Sequence, residues 1–305
     1  MTTTAKEIKP GIYRTPDSRF ENLPGYDFEP NYTEIGEYRV HYLDEGPADA
    51  DPVLMLHGEP SWSYLYRKMI PPVVTAGHRV IAPDLIGFGK SDKPAAIETH
   101  SYLFHVEAIT ELVQTLDLQN ITLVVQDWGS LIGLRVAAEN PERFARIVLG
   151  NGALPTGDEP IGPGFTAWRE QAARMQQMGD MPVGRIVGGA HGDAVIAAYD
   201  APFPSPAYKA GALALPLLVP ISSDDPAAAA NRAAWEVYKQ WEKPFLTSFS
   251  DGDPITKGGD KLFQGTVPGA KGQKHTIIEG GGHFLQEDRG EAFAEVVIQF
   301  IADNP

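Results

Sequence analysis

The stretch 121–140 constrains the fold of this chain more than any other. Its first five residues form a short apolar run that predicts a buried β-strand, and the apolar spacing farther along predicts an α-helix ending near Asn140. Between them lies the sharp turn Gln126-Asp-Trp-Gly129. Strand, tight turn and helix in this order are typical of a nucleophile elbow, usually written Gly-x-Ser-x-Gly. Here the position of the nucleophile is occupied by Asp127.

An aspartate in this position predicts a different chemistry from that of a serine. A free aspartate has a pKa of about 3.9, so its carboxylate is ionised at neutral pH and needs no base to attack. Attack on carbon would displace a leaving group and form an alkyl ester of Asp127, and a base would be needed only to activate water against that ester. The alternative is that Asp127 simply caps the helix, a common role for this residue type.

Composition limits the classes of function. The 305 residues are 43% hydrophobic, enough for a large core in one sizeable domain or in a core with an inserted lid. A formal charge of −15 argues against general affinity for nucleic acid or anionic membranes. The absence of cysteine excludes disulfides and thiolate metal sites. Without a long uncharged apolar run, we expect a soluble and cytoplasmic protein.

Alternating strands and helices predict an α/β fold with a mostly parallel sheet covered by helices on both faces. Residues 1–30 are expected to be an irregular lead-in, and Pro71-Pro72 are expected to break or kink a helical segment over 62–74. Predicted strands occupy 38–43, 52–56, 79–82, 121–125, 145–149, 244–249 and 274–279.

The alternation is interrupted in the middle of the chain. Residues 155–230 contain many prolines and glycines and short alanine-rich pieces, which favours a small helical cap. The sequence therefore predicts an α/β core made of residues 1–154 and 231–305, with the cap inserted between its two parts.

Two further residue types complete the predicted chemistry. His283 follows three glycines at a strand end, where an open parallel sheet places its ligands, and we expect it to be the general base. A base of this kind needs a carboxylate partner. Asp253, directly before Pro254, is favoured over Asp251, although Asp-Gly-Asp-Pro is also a strong turn signal by itself. His57 is expected to be a structural hydrogen-bonding residue.

The developing oxyanion needs backbone N–H donors, which are expected at Trp128 and Glu59. The indole of Trp128 is also a neutral donor with a large apolar face, which suits a soft anion such as chloride or bromide. In the cap, Trp168 is a candidate for a second indole donor and Phe165 for the cavity wall. Spacing alone leaves open that Trp168 is cap packing.

At this point the sequence resembles the haloalkane dehalogenases of the α/β-hydrolase superfamily, over most of its length. The resemblance rests on five stretches: His57-Gly-Glu-Pro-Ser-Trp-Ser-Tyr-Leu-Tyr-Arg67, Ile81-Ala-Pro-Asp-Leu-Ile-Gly-Phe-Gly-Lys-Ser-Asp-Lys-Pro94, Gln126-Asp-Trp-Gly-Ser130, Tyr199-Asp-Ala-Pro-Phe-Pro204 and Gly282-His-Phe-Leu-Gln-Glu287.

The resemblance implies a role for each candidate. Those roles are nucleophile for Asp127, base for His283, acid for Asp253, oxyanion hole for Glu59 and Trp128, halide binding for Trp128 and Trp168, and substrate cavity for Phe165 and Pro216. Many members have asparagine in place of Glu59, and some place the acid where Gly150-Asn151-Gly152 lies here. Both departures point to the branch with a Trp–Trp halide site and a late acid.

The resemblance implies hydrolysis of a small halogenated aliphatic substrate to a primary alcohol, a halide ion and a proton through an ester of Asp127. No metal or organic cofactor is expected, and neither is a nucleic-acid or membrane partner. Two alternatives stay open: an epoxide hydrolase of the same fold that uses cap tyrosines such as Tyr199 or Tyr208, and a non-catalytic protein that binds a small ligand.

Overall fold

The computed structural model describes residues 7–305. Within this range the strands are β1 (Glu7–Lys9), β2 (Ile12–Tyr13), β3 (Asn31–Ile35), β4 (Tyr38–Glu45), β5 (Pro52–Leu56), β6 (Arg79–Pro83), β7 (Lys93–Pro94), β8 (Ile121–Val125), β9 (Phe144–Leu149), β10 (Phe245–Ser250) and β11 (Thr276–Ile278). The α-helices are α1 (Ile70–Thr75), α2 (Tyr102–Thr115), α3 (Trp128–Glu139), α4 (Pro163–Met178), α5 (Val183–Gly188), α6 (Asp193–Asp200), α7 (Ala210–Leu218), α8 (Ala228–Tyr238), α9 (Gly259–Thr266) and α10 (Leu285–Asp303).

Eight of these strands form the central sheet, in the order β11-β10-β9-β8-β5-β6-β4-β3. The six strands from β11 to β6 are parallel, whereas β4 and β3 continue the sheet in antiparallel pairing. The central neighbours β5 and β8 are buried at every residue, as their continuous apolar sequences require in a sheet covered on both faces. Helices α1 and α10 pack together, and α3 packs against both α2 and α8. The predicted α/β-hydrolase architecture is confirmed.

Two local predictions were wrong. Residues 7–13 are not irregular, because β1 pairs with β2 and β2 pairs with β7 in a small antiparallel sheet; residues 1–6 lie outside the described range. Pro71 and Pro72 do not break a helix but lie in the first turn of α1. Proline is tolerated there because its missing N–H has no intrahelical partner at a helix start. The preceding segment, Ser63–Tyr66, is a short 3-10 helix.

The segment 155–230 is helical, as expected from its composition. It contains α4 to α7, and its last residues begin α8, which continues to Tyr238. Within it, α4 packs against α7 and α5 packs against α6. The division into core and cap, with its boundaries near 154 and 230, stays a prediction.

Candidate active site

The ends of five neighbouring strands supply the candidate side chains. Glu59 follows β5, Asp127 follows β8, Asn151 follows β9, Asp253 follows β10 and His283 follows β11. All five strands are parallel, so their carboxyl ends meet at one edge of the sheet. This edge is where open α/β sheets bind their ligands.

Asp127 lies in a strained backbone conformation at the sharp turn between β8 and α3. Its φ of 50° and ψ of −132° are unusual for a residue other than glycine and cost about 1–3 kcal/mol. Two residues on, Gly129 permits the close approach of this turn to β5, because a Cβ there would overlap the carbonyl of Leu56. The Asp127 side chain makes no capping hydrogen bond to α3. The capping alternative is therefore wrong, and the carboxylate is free to face other groups.

Hydrogen bonds connect Asp127, His283 and Asp253. His283 Nε2 lies 3.1 Å from Asp127 Oδ2, and His283 Nδ1 lies 3.0 Å from Asp253 Oδ1. The buried carboxylate of Asp253 also accepts hydrogen bonds from the backbone N–H groups of Ile255 and Thr256, at 2.8 and 3.2 Å. The three predicted residues thus form one chain, with an imidazole between two carboxylates.

Asp251, the alternative acid, lies elsewhere. It is exposed, and its Oδ1 accepts the backbone N–H of Gly280 at 2.8 Å. This contact is that of a turn-forming residue.

Opposing effects set the pKa values of His283 and Asp253. Burial lowers the pKa of His283, but hydrogen bonds to Asp127 and Asp253 and the charges of both carboxylates outweigh it and raise the value to about 10. Burial raises the pKa of Asp253, and the hydrogen bond and charge of His283 more than offset it, so the net direction is down. The geometry therefore favours an imidazolium while Asp127 is a free carboxylate.

One of the two predicted oxyanion donors already contacts the carboxylate. The backbone N–H of Glu59 donates to Asp127 Oδ1 at 2.7 Å. Among the hydrogen bonds of residues 7–305, none joins the backbone N–H of Trp128 to this side chain. The two oxygens of Asp127 are therefore distinct: Oδ1 is held by a backbone donor, and Oδ2 faces the imidazole.

The side chain of Glu59 is buried beside the same groups. Burial first, and then the nearby charge of Asp127, raise its pKa well above the usual value for a glutamate, which favours the neutral acid. Its Oε1 has no hydrogen-bond partner among residues 7–305. A buried acid with an unused oxygen is available to bind water or substrate.

A cavity of about 180 Å³ is lined by these groups, and we call it the inner cavity. Its walls include seven of the eight predicted site residues, namely Glu59, Asp127, Trp128, Phe165, Trp168, Pro216 and His283, whereas Asp253 lies behind His283. The indole Nε1 of Trp128 is buried and has no partner within the described part of the chain. Trp168, on α4 in the segment 155–230, is half-buried and also lines the cavity. An apolar pocket with an unpaired N–H donor suits a weakly hydrated anion.

The cap tyrosines weighed as epoxide-activating donors lie outside this cavity. The Tyr199 hydroxyl donates to Glu287 Oε2 at 2.5 Å, and Tyr208 packs its ring against Tyr13. Neither residue lines the space above Asp127. The structure therefore gives no support to ring opening by these tyrosines.

Comparison with known proteins identifies the family. The family described as the alpha/beta hydrolase fold matches residues 51–184. The chain is 57% identical to a haloalkane dehalogenase of Psychrobacter cryohalolentis, over 96% of this chain and 99% of that protein. It is 51% identical to one of Mycobacterium marinum, over 95% and 99% of the two chains. The chain belongs to the haloalkane dehalogenases. It is a hydrolase of carbon–halide bonds.

A solved haloalkane dehalogenase has the same fold throughout. The enzyme DpaA from Paraglaciecola agarilytica NO2, described as tetrameric, superposes with a TM-score of 0.86 at 35% identity, covering 95% of this chain and 98% of that one. The predicted family, activity and halogenated alkane substrate are thus confirmed, and the epoxide hydrolase and non-catalytic alternatives are set aside.

Sequence reasoning missed two polar residues of this dehalogenase that hold the His283 loop. Asn151 and Gln126 each donate from a side-chain amide to the backbone carbonyl of His283, at 3.0 Å in both cases. From the sequence, Asn151 is noted only as a position that lacks a carboxylate. Its place in a Gly-Asn-Gly turn at a strand end was the available signal.

No group of three or more His, Asp or Glu side chains in residues 7–305 is arranged to hold a metal ion. None of the helices in the same range combines the length and the apolar character needed to cross a membrane.

His57 has the expected structural contacts, since its Nε2 accepts the backbone N–H of Leu85 at 3.0 Å.

Proposed function

We propose that this haloalkane dehalogenase converts primary haloalkanes to primary alcohols in two steps through a covalent alkyl ester of Asp127. The observation that carries the proposal is the unequal environment of the two Asp127 oxygens. Oδ1 accepts the backbone N–H of Glu59, whereas Oδ2 lies beside His283 Nε2 and has no backbone donor among the contacts of residues 7–305. Because Oδ1 is the oxygen held by the oxyanion donor, we assign the attack on carbon to Oδ2.

In the first step, Oδ2 attacks the carbon that bears the halogen. A carbon–oxygen bond forms as the carbon–halogen bond breaks, and the bonding pair leaves with the halide ion. The indole N–H groups of Trp128 and Trp168 hold that ion, and Phe165 and Pro216 enclose the alkyl group. The supporting observations are the unpaired Nε1 of Trp128 and the presence of all four side chains in the walls of the inner cavity.

Ester formation prepares the second step by removing the charge of Asp127. That charge and its hydrogen bond raise the pKa of His283 in the free enzyme. Once they are lost, the pKa of His283 falls and the imidazole releases its proton more readily, so it becomes available as a base. Asp253, on Nδ1, keeps the ring oriented and stabilises the imidazolium that forms next.

In the second step, His283 removes a proton from a water molecule, which attacks the carbonyl carbon of the ester. Negative charge develops on Oδ1, the oxygen that already accepts the Glu59 N–H, and the backbone N–H of Trp128 is the second donor. The intermediate collapses, the bond between Cγ and Oδ2 breaks, and the departing alkoxide takes the proton from His283 and leaves as the alcohol. The carboxyl group formed at Asp127 contains the water oxygen and loses its remaining proton, which restores the carboxylate. The neutral Glu59 carboxyl, with its unused oxygen, is placed to hydrogen-bond the water.

Removing the base separates the two steps. His283→Phe mixed with a bromoalkane should release about one bromide per active site and then stop, because Asp127 needs no base for displacement. Mass spectrometry should find the alkyl group on the peptide that contains Asp127. Asp127→Ala should give neither burst nor adduct, and His78→Phe, at a histidine away from the inner cavity, should turn over normally. A folded, halide-binding His283→Phe without a burst would reject the ester.

A further inference from the structure

We propose that Gln126 is a positioning residue of the second step, whose side-chain amide faces Nε2 of His283 and keeps that nitrogen free of its proton once Asp127 has become an ester. This inference rests on the proposed function, since it concerns the ester intermediate. It adds to that function a residue that controls when His283 is able to act as a base.

The side chain of Gln126 contacts both the loop and the ring of the base. Gln126 lies between the end of β8 and the nucleophile, and it is fully buried. Its Nε2 lies 3.0 Å from the backbone carbonyl oxygen of His283 and 3.3 Å from the ring nitrogen Nε2 of the same residue. An amide nitrogen carries two hydrogens, so it is able to face both atoms at once.

The carbonyl of His283 determines which end of the Gln126 amide faces the ring. A carbonyl oxygen accepts hydrogen bonds and cannot donate them, so the NH₂ group has to point toward it. The reversed amide would set Oε1 of Gln126 against that carbonyl oxygen. In the observed orientation Oε1 is buried without a partner among residues 7–305, and the NH₂ group lies on the side of His283. A hydrogen-bond donor therefore faces Nε2 of the ring.

Nε2 of His283 thus lies between two groups with opposite preferences. Asp127 Oδ2, at 3.1 Å, accepts a hydrogen bond and favours a protonated Nε2. The Gln126 amide donates, so it forms a hydrogen bond only with an Nε2 that has lost its proton. In the free enzyme the charge of the carboxylate dominates, and the imidazolium is favoured. The balance depends on the charge of Asp127.

Ester formation reverses this balance. An ester has no charge and is a weaker acceptor than a carboxylate, whereas the Gln126 amide is unchanged. The imidazolium therefore loses its Nε2 proton to solvent through the inner cavity, which His283 lines. The electron pair left on Nε2 accepts the Gln126 amide until a water molecule donates to it instead. That water then loses its proton to Nε2 as it attacks the ester.

The other charged groups that act on His283 explain why a donor is useful at Nε2. Asp253 Oδ1 lies 3.0 Å from Nδ1, and its charge raises the pKa of His283 whether or not Asp127 is an ester. Glu59 also acts on His283, but burial favours its neutral form. A general base works best when its pKa lies near the operating pH. Gln126 opposes the effect of Asp253 from the other side of the ring.

The test measures how hydrolysis of the ester depends on pH. The alkyl-enzyme is formed in a single turnover of 1-bromobutane, and its decay is followed by rapid quench and mass spectrometry between pH 5.5 and 10. Gln126→Met removes the donor with little change in length, and Gln126→Glu replaces it with an acceptor of the same shape. The matched control is Asn151→Ala, because the hydrogen bonds of Asn151 within residues 7–305 reach the same carbonyl but not the ring. Thermal unfolding verifies that each variant is folded.

We expect the rate of hydrolysis to rise with pH to a plateau, with its midpoint at the pKa of His283 in the ester. Gln126→Met should move the midpoint up by about one pH unit and slow hydrolysis at pH 6 by about 10-fold, as loss of one ordinary hydrogen bond predicts. The plateau should stay within about 3-fold of the wild type, since the base is free there in both proteins. Gln126→Glu should move the midpoint further up. Asn151→Ala should lower the plateau and leave the midpoint unchanged.

An unchanged midpoint in both Gln126 variants would overturn the inference and make Gln126 a support for the loop alone. NMR titration of His283 in Asp127→Ala, with and without Gln126→Met, tests the same contact without an ester. The added substitution should raise the pKa of His283, and an unchanged value would also overturn the inference. The proposed function fails differently: the wild type would form no alkyl ester at Asp127, whereas the shift in this titration would remain.

Discussion

The side-chain amide of Asn151 donates a hydrogen bond to the backbone carbonyl of His283 at 3.0 Å. The same amide donates to the carbonyl of Gly282 and the hydroxyl of Ser250, and the backbone carbonyl of Asn151 accepts the backbone N–H of Asp127 at 3.0 Å. One buried residue therefore connects the turn that carries Asp127 with the loop that carries His283. Asn151 does not itself line the inner cavity and acts through Asp127 and His283, so we assign it the role of a positioning residue.

Asn151→Ala should lower kcat while leaving KM nearly unchanged. The substitution removes several hydrogen bonds, each worth about 0.5–1.5 kcal/mol, and releases the His283 loop, so we expect a loss in kcat of about 10-fold or more. The matched control is Asn231→Ala. The side-chain amide of Asn231 is also buried, but it donates to the backbone carbonyl of Pro155 and not to the His283 loop. Both variants should unfold at lower temperature, but only Asn151→Ala should lose kcat. Equal kcat in the two would reduce Asn151 to a purely structural residue.

Asn151 also illustrates what could be predicted from the sequence and what could not. Asp127 and His283 can be proposed from the sequence because each lies in a short pattern whose local geometry follows from its own residues. Asn151 acts through hydrogen-bond partners that are 99, 131 and 132 residues away in the sequence. No local sequence pattern predicts which strand ends will be neighbours in the sheet. The order of the strands in the sheet determines those contacts.

The same reasoning applies to the small elements and the cavities. The edge strand β3 has no continuous apolar run and was not predicted, because its pairing with β4 determines its conformation. The walls of the inner cavity come from residues as distant as Glu59 and Phe284. Cavity volume depends on how the segment 155–230 packs over the sheet, and apolar spacing within that segment does not encode it.

Halide binding should depend on both indoles of the inner cavity. A hydrogen bond to a charged group is worth about 1.5–3 kcal/mol, so Trp168→Phe or Trp128→Phe should reduce turnover by about one to two orders of magnitude. Both should also weaken the saturable quenching of tryptophan fluorescence by bromide. Trp241→Phe is the control, because Trp241 is a buried indole without an Nε1 partner in residues 7–305 and lies outside the cavity. An unchanged titration in Trp168→Phe would transfer the second donor to another residue.

The two aspartates after β10 should differ sharply in their effect on turnover. Asp253→Asn keeps the shape of the side chain but removes the charge that stabilises the His283 imidazolium, so hydrolysis of the ester should slow by more than 100-fold while ester formation continues. Asp251→Asn should stay within about 2-fold of the wild type, since the exposed side chain of Asp251 accepts the backbone N–H of Gly280, whereas the hydrogen bond to His283 comes from Asp253. Rapid-quench measurement of the alkyl-enzyme separates the two steps. The opposite ranking would assign the acid role to Asp251.

The charge of Asp127 should control the protonation of His283. In the free enzyme the pKa of His283 is raised to about 10, and Asp127 contributes the largest of the effects that raise it. Asp127→Asn gives a neutral side chain of nearly the same shape, as an ester does, so the pKa of His283 should fall. Long-range ¹H–¹⁵N NMR titration of the imidazole in both proteins measures the difference, and Asp251→Asn should leave the value unchanged.

The same shift predicts how stability depends on pH. Because the folded pKa of His283 lies above the unfolded value near 6.5, the stabilisation from its bound proton is complete below pH 6.5 and is lost as the pH rises through about 10. In Asp127→Asn the loss of stability should still begin near pH 6.5 but end at a lower pH and be smaller in total, which unfolding by urea between pH 6 and 10 would measure. If the pKa of His283 stayed near 10 in that variant, ester formation could not release the base, and the imidazole would need another route to lose its proton before water attacks.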